Sequence, residues 1–183
     1  SLEPTFGAIN LEDIKAPECF LVEKQLRERM NIPVFHDDQH GTAIVAAAAV
    51  YNGLRVVEKS IKDIKVVGSG SGAASIACLD LLVSMGLPRE QVTLVDRSGV
   101  IYKGREQGMN PWKESYARET DDRTLADAIA GADLFMGLSG PGVLTQDMVK
   151  TMGPKPLILA MANPTPEIMP ELDKWILHRL KEL

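Results

Sequence analysis

Cysteine, aromatic residues, positive charge and long apolar runs are all scarce in this chain of 183 residues. Its two cysteines, Cys19 and Cys78, lie far apart and outside any C-x-x-C spacing. That excludes a disulfide scaffold and reads as two buried thiols in a reducing cytosol. Aromatics make up 5% of the residues, too few for base-stacking platforms. Lys and Arg number 20 against 25 Asp and Glu, for a net charge of -5. A general nucleic-acid binder needs the opposite balance to release counterions. No apolar stretch approaches the roughly 20 residues of a membrane span, and no basic-then-apolar leader opens the chain. Neither a nucleic-acid nor a membrane partner is therefore expected, and the location expected is cytoplasmic. What is present, 45% apolar and 25% charged residues, is the balance of an ordinary soluble domain. The chain starts at Ser1 without Met, and Ser1–Gly7 reads as the end of a strand already running, as in an interior piece of a longer protein.

The periodicity alternates. Pro17 to Met30 carries apolar residues at helical spacing, with Pro17 suited to a first helical position. Ile32–Phe35 reads as a short strand. Thr42 to Leu54 is almost wholly apolar, which predicts a helix buried on most sides, with Gly53 weakening its end. Ile64–Val67, Val92–Val95, Asp133–Met136 and Leu157–Ala160 read as short buried strands. Helices are predicted over Ala73–Met85, around Leu125–Ile129 and over Thr145–Met152. Short apolar strands alternating with helices predict a doubly wound α/β domain, a parallel sheet with helices on both faces.

The turn Gly68-Ser69-Gly70-Ser71-Gly72-Ala73-Ala74-Ser75 lies between a predicted strand and a helix. It satisfies G-x-G-x-x-G/A from Gly68, ending on Ala73, or a G-x-G-x-x-S variant from Gly70, ending on Ser75. In either register the first glycine permits the tight turn, the second admits a pyrophosphate, and the small third residue lets the helix pack closely. Free N–H groups at the helix start then face the phosphates. Asp96 ends the next strand, where an acid binds a ribose hydroxyl. Together these predict a Rossmann-type dinucleotide site. Asp96 favours NAD, whereas Arg97 and Lys103 suit the 2′-phosphate of NADP, so both cofactors stay open.

A second cluster is acidic. Glu12-Asp13 precedes the first predicted helix, and His36-Asp37-Asp38-Gln39-His40 follows the strand Pro33–Phe35. Carboxylates from two loops suit a hard cation such as Mg²⁺ or Mn²⁺, while helix capping is the simpler reading of the same residues. Zinc held by His36 and His40 would need H-E-x-x-H on a continuous helix, and this segment reads as strand running into Gly41. Beyond the last strand, Asn163 lies between Ala162 and Pro164, in a turn stiffened by Pro164 and Pro166. It either presents its amide to nicotinamide or substrate or simply makes a tight turn. Ser139, after the preceding strand, stands near the same crevice.

Asn10-Leu11-Glu12-Asp13-Ile14, His36-Asp37-Asp38-Gln39-His40-Gly41-Thr42-Ala43, the glycine turn and Ala162-Asn163-Pro164 occur in this order in malic enzymes. The chain resembles that family from Leu2 to about Glu171, most closely its bacterial type. The resemblance implies a malic-enzyme-like NAD(P)-binding domain over 1–171. It implies Mg²⁺ or Mn²⁺ held by Glu12, Asp13 and Asp38, with Asp37 supporting catalysis beside them. Thr42 and the glycine turn (Gly70, Gly72, Ala73, Ser75) would line the dinucleotide and Asn163 would contact substrate or nicotinamide, beside Asp96, Arg97 and Ser139, the cofactor-binding candidates read from their places at the strand ends. The activity implied is oxidative decarboxylation of malate to pyruvate and CO₂ by a homo-oligomeric parent, with the metal as Lewis acid. The family's proton-transferring tyrosine and lysine come from a preceding domain, and Tyr51, Tyr102 and Tyr116 lack that tyrosine's context. Residues 172–183 depart from the family and read as an amphipathic helix through Leu172, Ile176, Leu180 and Leu183. It is expected to pack on the open sheet edge, with a binding tail as the other reading. A catalytically inert dinucleotide-binding module is the rival account of the whole.

Overall fold

The structure is a computed structural model that describes Glu3 and residues 5–169. The expected helix over 172–183 and the boundary at 171 lie outside the described residues. β-Branched and leucine-rich runs form the strands β3 (Val66–Ser69), β4 (Val92–Asp96), β6 (Leu134–Gly137) and β7 (Leu157–Ala160). With β5 (Gly99–Val100) they make one sheet in the order β5-β4-β3-β6-β7. Every pairing in it is parallel except the antiparallel β4–β5. A separate pair, β1 (Ile9–Leu11) and β2 (Val34–His36), runs parallel with Leu11 opposite His36.

Helix α3 (Ala73–Ser84) sends Ile76, Leu79 and Leu82 into one apolar cluster with α2 (Thr42–Val57). Helices α5 (Leu125–Ile129) and α6 (Gln146–Thr151) send Ala128, Ile129 and Val149 into a second cluster. Successive crossovers from β3 thus cover opposite faces, which makes the sheet doubly wound as expected. The order of crossing reverses between β3 and β6, and in such sheets the ligand crevice opens beyond the strand ends at that point. Helix α1 (Glu18–Arg29) and the short α4 (Pro111–Glu114), capped by Asn110, are the remaining α-helices among the described residues.

Several local expectations are corrected. Residues 5–8 are turn or irregular, so the described part of the opening holds none of the expected strand. Helix α2 is buried on one side only: Ile44, Val45, Tyr51 and Val56 are exposed. Composition records that a helix is apolar but not how many neighbours it has. Gly53 does not weaken its end, since α2 continues to Val57. An added Cβ there would sit 3.0 Å from the Leu157 side chain, so Gly53 lets α2 lie close against β7. Both cysteines are buried and free, as expected, and burial pushes the Cys78 thiol up to about 12.

Candidate functional site

The turn after β3 settles the glycine register. Gly70 has φ +105°, and a Cβ there would fall 2.3 Å from the Leu138 carbonyl oxygen. Only glycine fits both the dihedral and the approach. Gly70 is therefore the tight-turn residue, and Gly68 lies inside β3. Gly72 precedes α3 in extended backbone with open space where a side chain would point, and no side chain caps the helix. Ser75 is buried with its hydroxyl unpartnered, so it fills the small third position and does not face the cleft.

A cleft of about 520 Å³ opens at the carboxyl ends of β3, β4 and β6. Gly70, Asp96, Arg97 and Ser139 line it together, with Lys113. Ala73 heads α3 just behind it, while Thr42 heads α2 and Asn163 is exposed beyond β7, neither on the cleft wall. Asp96 is not a free acceptor. Arg105 Nη2 donates to both its oxygens at 2.7 Å and Lys113 Nζ to Oδ2 at 2.9 Å. Burial alone would raise this carboxyl. Arg105, Lys113 and the Ser98 N–H outweigh that and hold it below the usual carboxylate range. Lys103 instead pairs with exposed Glu119 away from the cleft. Sequence reading missed Arg105 and Lys113, which the turn after β5 and α4 bring back onto Asp96 from 9 and 17 residues away. The Asn110-Pro111 pair was the one legible signal, an N-cap followed by a proline at the first helical position.

The acidic segments do meet. Parallel pairing of β1 and β2 carries Glu12-Asp13 and Asp37-Asp38 to one end, and the Asp13 N–H donates to Asp38 Oδ2 at 2.8 Å. Neither pair caps a helix: α1 and α2 lack side-chain caps, which corrects the capping reading. Asp37–Gly41 forms a π-helical turn that passes straight into α2, so this segment is helical where a break was expected. His36 belongs to β2 and is 0% exposed, whereas His40 Nε2 contacts Glu23 at 2.5 Å, so the two imidazoles share no site. Among the described residues, no three His, Cys, Asp or Glu side chains converge closely enough to hold a metal. None of the described helices is long and apolar enough to cross a membrane.

Comparison with known proteins places these features in context. The family described as malic enzyme, NAD binding domain, matches residues 39–175. The chain is 64% identical over 171 residues to an NADP-dependent malic enzyme of Haemophilus influenzae, covering 93% of this chain and 23% of that protein. It is 62% identical over 172 residues to an NAD-dependent malic enzyme of Rhizobium meliloti, covering 94% of this chain and 22% of that one. The chain thus spans about a quarter of the length of these relatives. A crystal structure of the NAD-dependent malic enzyme of Thermotoga maritima superposes with a TM-score of 0.88 at 44% identity, covering 95% of this chain and 47% of that one.

Proposed function

The chain belongs to the malic enzyme family, as its NAD-binding domain, and on that premise we propose that it binds NADP in preference to NAD for the oxidative decarboxylation of malate to pyruvate. The observation that carries the cofactor reading is the engagement of Asp96. Its oxygens already accept from Arg105 and Lys113, so it is poorly placed to accept from a ribose 2′-hydroxyl as well. Arg105 and Lys113 hold that one carboxylate and Arg97 lines the cleft beside it, a balance of charge suited to a 2′-phosphate. Gly70, Gly72 and Ala73 would cradle the pyrophosphate at the start of α3, with Ser139 further along the crevice. Titration calorimetry tests this: NADP⁺ should bind at least tenfold tighter than NAD⁺, and Lys113→Ala should remove most of that difference. Equal affinities in the unmodified chain would overturn it.

Glu12, Asp13 and Asp38 would supply carboxylates to Mg²⁺ or Mn²⁺ with Asp37 beside them, supported by the Asp13–Asp38 contact between the two loops. The described side chains form no preformed cage. Mg²⁺ is ordinarily held by one or two carboxylates plus water and substrate oxygens, so a cage is not required. When bound, the metal supplies Lewis-acid polarisation of the substrate, and Thr42 and Asn163 would complete contacts to cofactor or substrate. A soluble, cytoplasmic, homo-oligomeric parent acting on a small acid belongs to the same reading.

The inert-module reading describes the chain on its own. The buried Tyr116 hydroxyl donates to Asp80 at 2.5 Å, Tyr102 lies under Arg123, and Tyr51 is exposed on α2. No tyrosine lines the cleft, so this chain contributes binding and orientation, and the proton transfers of malate chemistry fall to other groups.

A further inference from the structure

Glu167 is the only charged residue between Lys155 and Glu171, and it is 0% exposed. A buried carboxylate is costly unless its oxygens accept hydrogen bonds. Here one oxygen accepts from the Ser139 N–H at 2.8 Å and from Ser139 Oγ at 3.2 Å. The other accepts from the Ala162 N–H at 3.1 Å. Ser139 Oγ in turn lies 2.9 Å from Ser69 Oγ at the end of β3. One side chain therefore ties the loops that follow β6 and β7 to each other and to β3. Gly137 makes the room: a Cβ there would fall 2.4 Å from the Glu167 carboxyl carbon. The backbone around it is pinned as well, with the Leu144 N–H donating to the Glu167 carbonyl at 3.1 Å and Ile168 packed into the second apolar cluster.

A dinucleotide crosses a doubly wound sheet at the point where strand order reverses. With the adenosine ribose at Asp96 on β4, the other half of the cofactor lies over the β6 and β7 loops. We propose that Glu167 is a positioning residue for the nicotinamide half of the cofactor, a role that rests on the dinucleotide reading of this cleft. It sets the separation of the Ser139 and Ala162–Asn163 loops before the ligand arrives, so binding does not have to order them. It touches neither substrate nor cofactor.

The test measures NADPH and 2′,5′-ADP binding to the whole chain. The second ligand carries only the adenosine half. Glu167→Gln keeps the size but sets an amide N–H₂ against a backbone donor. It should weaken NADPH about tenfold, equivalent to about 1.4 kcal/mol, and diminish the emission shift of the bound nicotinamide, while 2′,5′-ADP affinity changes less than twofold. Gly137→Ala, which displaces the carboxylate from the opposite side, should reproduce the split. Glu167→Asp keeps the charge but draws the carboxylate back from both loops and should give the same split at about threefold, which keeps the test sound if Glu167→Gln fails to fold. Equal changes for both ligands, or none, would overturn the proposal by reducing Glu167 to a fold-stabilising residue. If the unmodified chain binds neither, the same split is read between NADH and AMP; if NADH does not bind either, the dinucleotide reading falls and this proposal with it. Binding of both ligands with no split in any variant overturns this proposal alone.

Discussion

At the scale of the residue, Gly70 and Gly72 occupy one motif for different reasons. Gly70 is demanded by the fold, through its positive φ and its contact with Leu138, so Gly70→Ala should cost about 1–3 kcal/mol in a urea melt. A Cβ added at Gly72 would meet nothing within 4 Å, and the residue has ordinary extended backbone. Gly72→Val is therefore expected to melt like the parent chain yet lose NADP⁺ binding in calorimetry, because the new side chain meets only the pyrophosphate. Asp96 gives a prediction in pH. Arg105 is 3% exposed beside it, so Asp96→Asn leaves a buried cation without its anion and should cost about 3 kcal/mol at pH 7. The carboxyl is held below its ordinary value. Its contribution is thus complete above the unfolded value near pH 3.9 and fades as pH falls through the lower native one. Urea midpoints should show a constant gap between the two proteins from pH 7 to 5, narrowing below pH 4.

At the scale of the element, α2 depends on how closely it lies against β7. Gly53→Leu puts a four-carbon side chain where Leu157 already lies and should destabilise the chain by about 2 kcal/mol. Adding Leu157→Ala should recover part of the loss if crowding at that one contact is the cause, and urea denaturation of the single and double variants checks it. The elements that were legible in the sequence are those with a strong period. The apolar strands β3, β4, β6 and β7 stand within one or two residues of their predicted places. The two-residue β5 and the single-turn α4 were not legible, because elements this short carry no periodicity and exist only where tertiary contacts hold them. The π-helical turn at Asp37–Gly41 was hidden by Gly41, which reads as a break yet has helical dihedrals here.

At the scale of the whole molecule, the chain is a cofactor-binding piece about a quarter of the length of its relatives. It is expected to bind NADP⁺ without turning over malate at a useful rate, even with Mn²⁺. General acid–base groups contribute about 10² to 10⁴-fold each, and no tyrosine reaches the cleft to supply one. Nicotinamide absorbance with malate, Mn²⁺ and NADP⁺ checks this, and robust turnover would place an acid and a base within this chain.

The sequence alone determined the α/β class, the strand–glycine turn–helix, the acid ending the next strand and the family resemblance. Each of these is written in residues close together or in the order of short motifs, where local chemistry is sufficient. Tertiary structure decided which glycine register is used, because only the approach of Leu138 separates Gly70 from Gly68. It also decided that Asp96 is engaged by Arg105 and Lys113, and that Glu167 joins two loops across a gap left by Gly137. These are contacts between residues whose sequence separation carries no periodic signal. A charge or a buried carboxylate takes its meaning from the donors the fold brings to it.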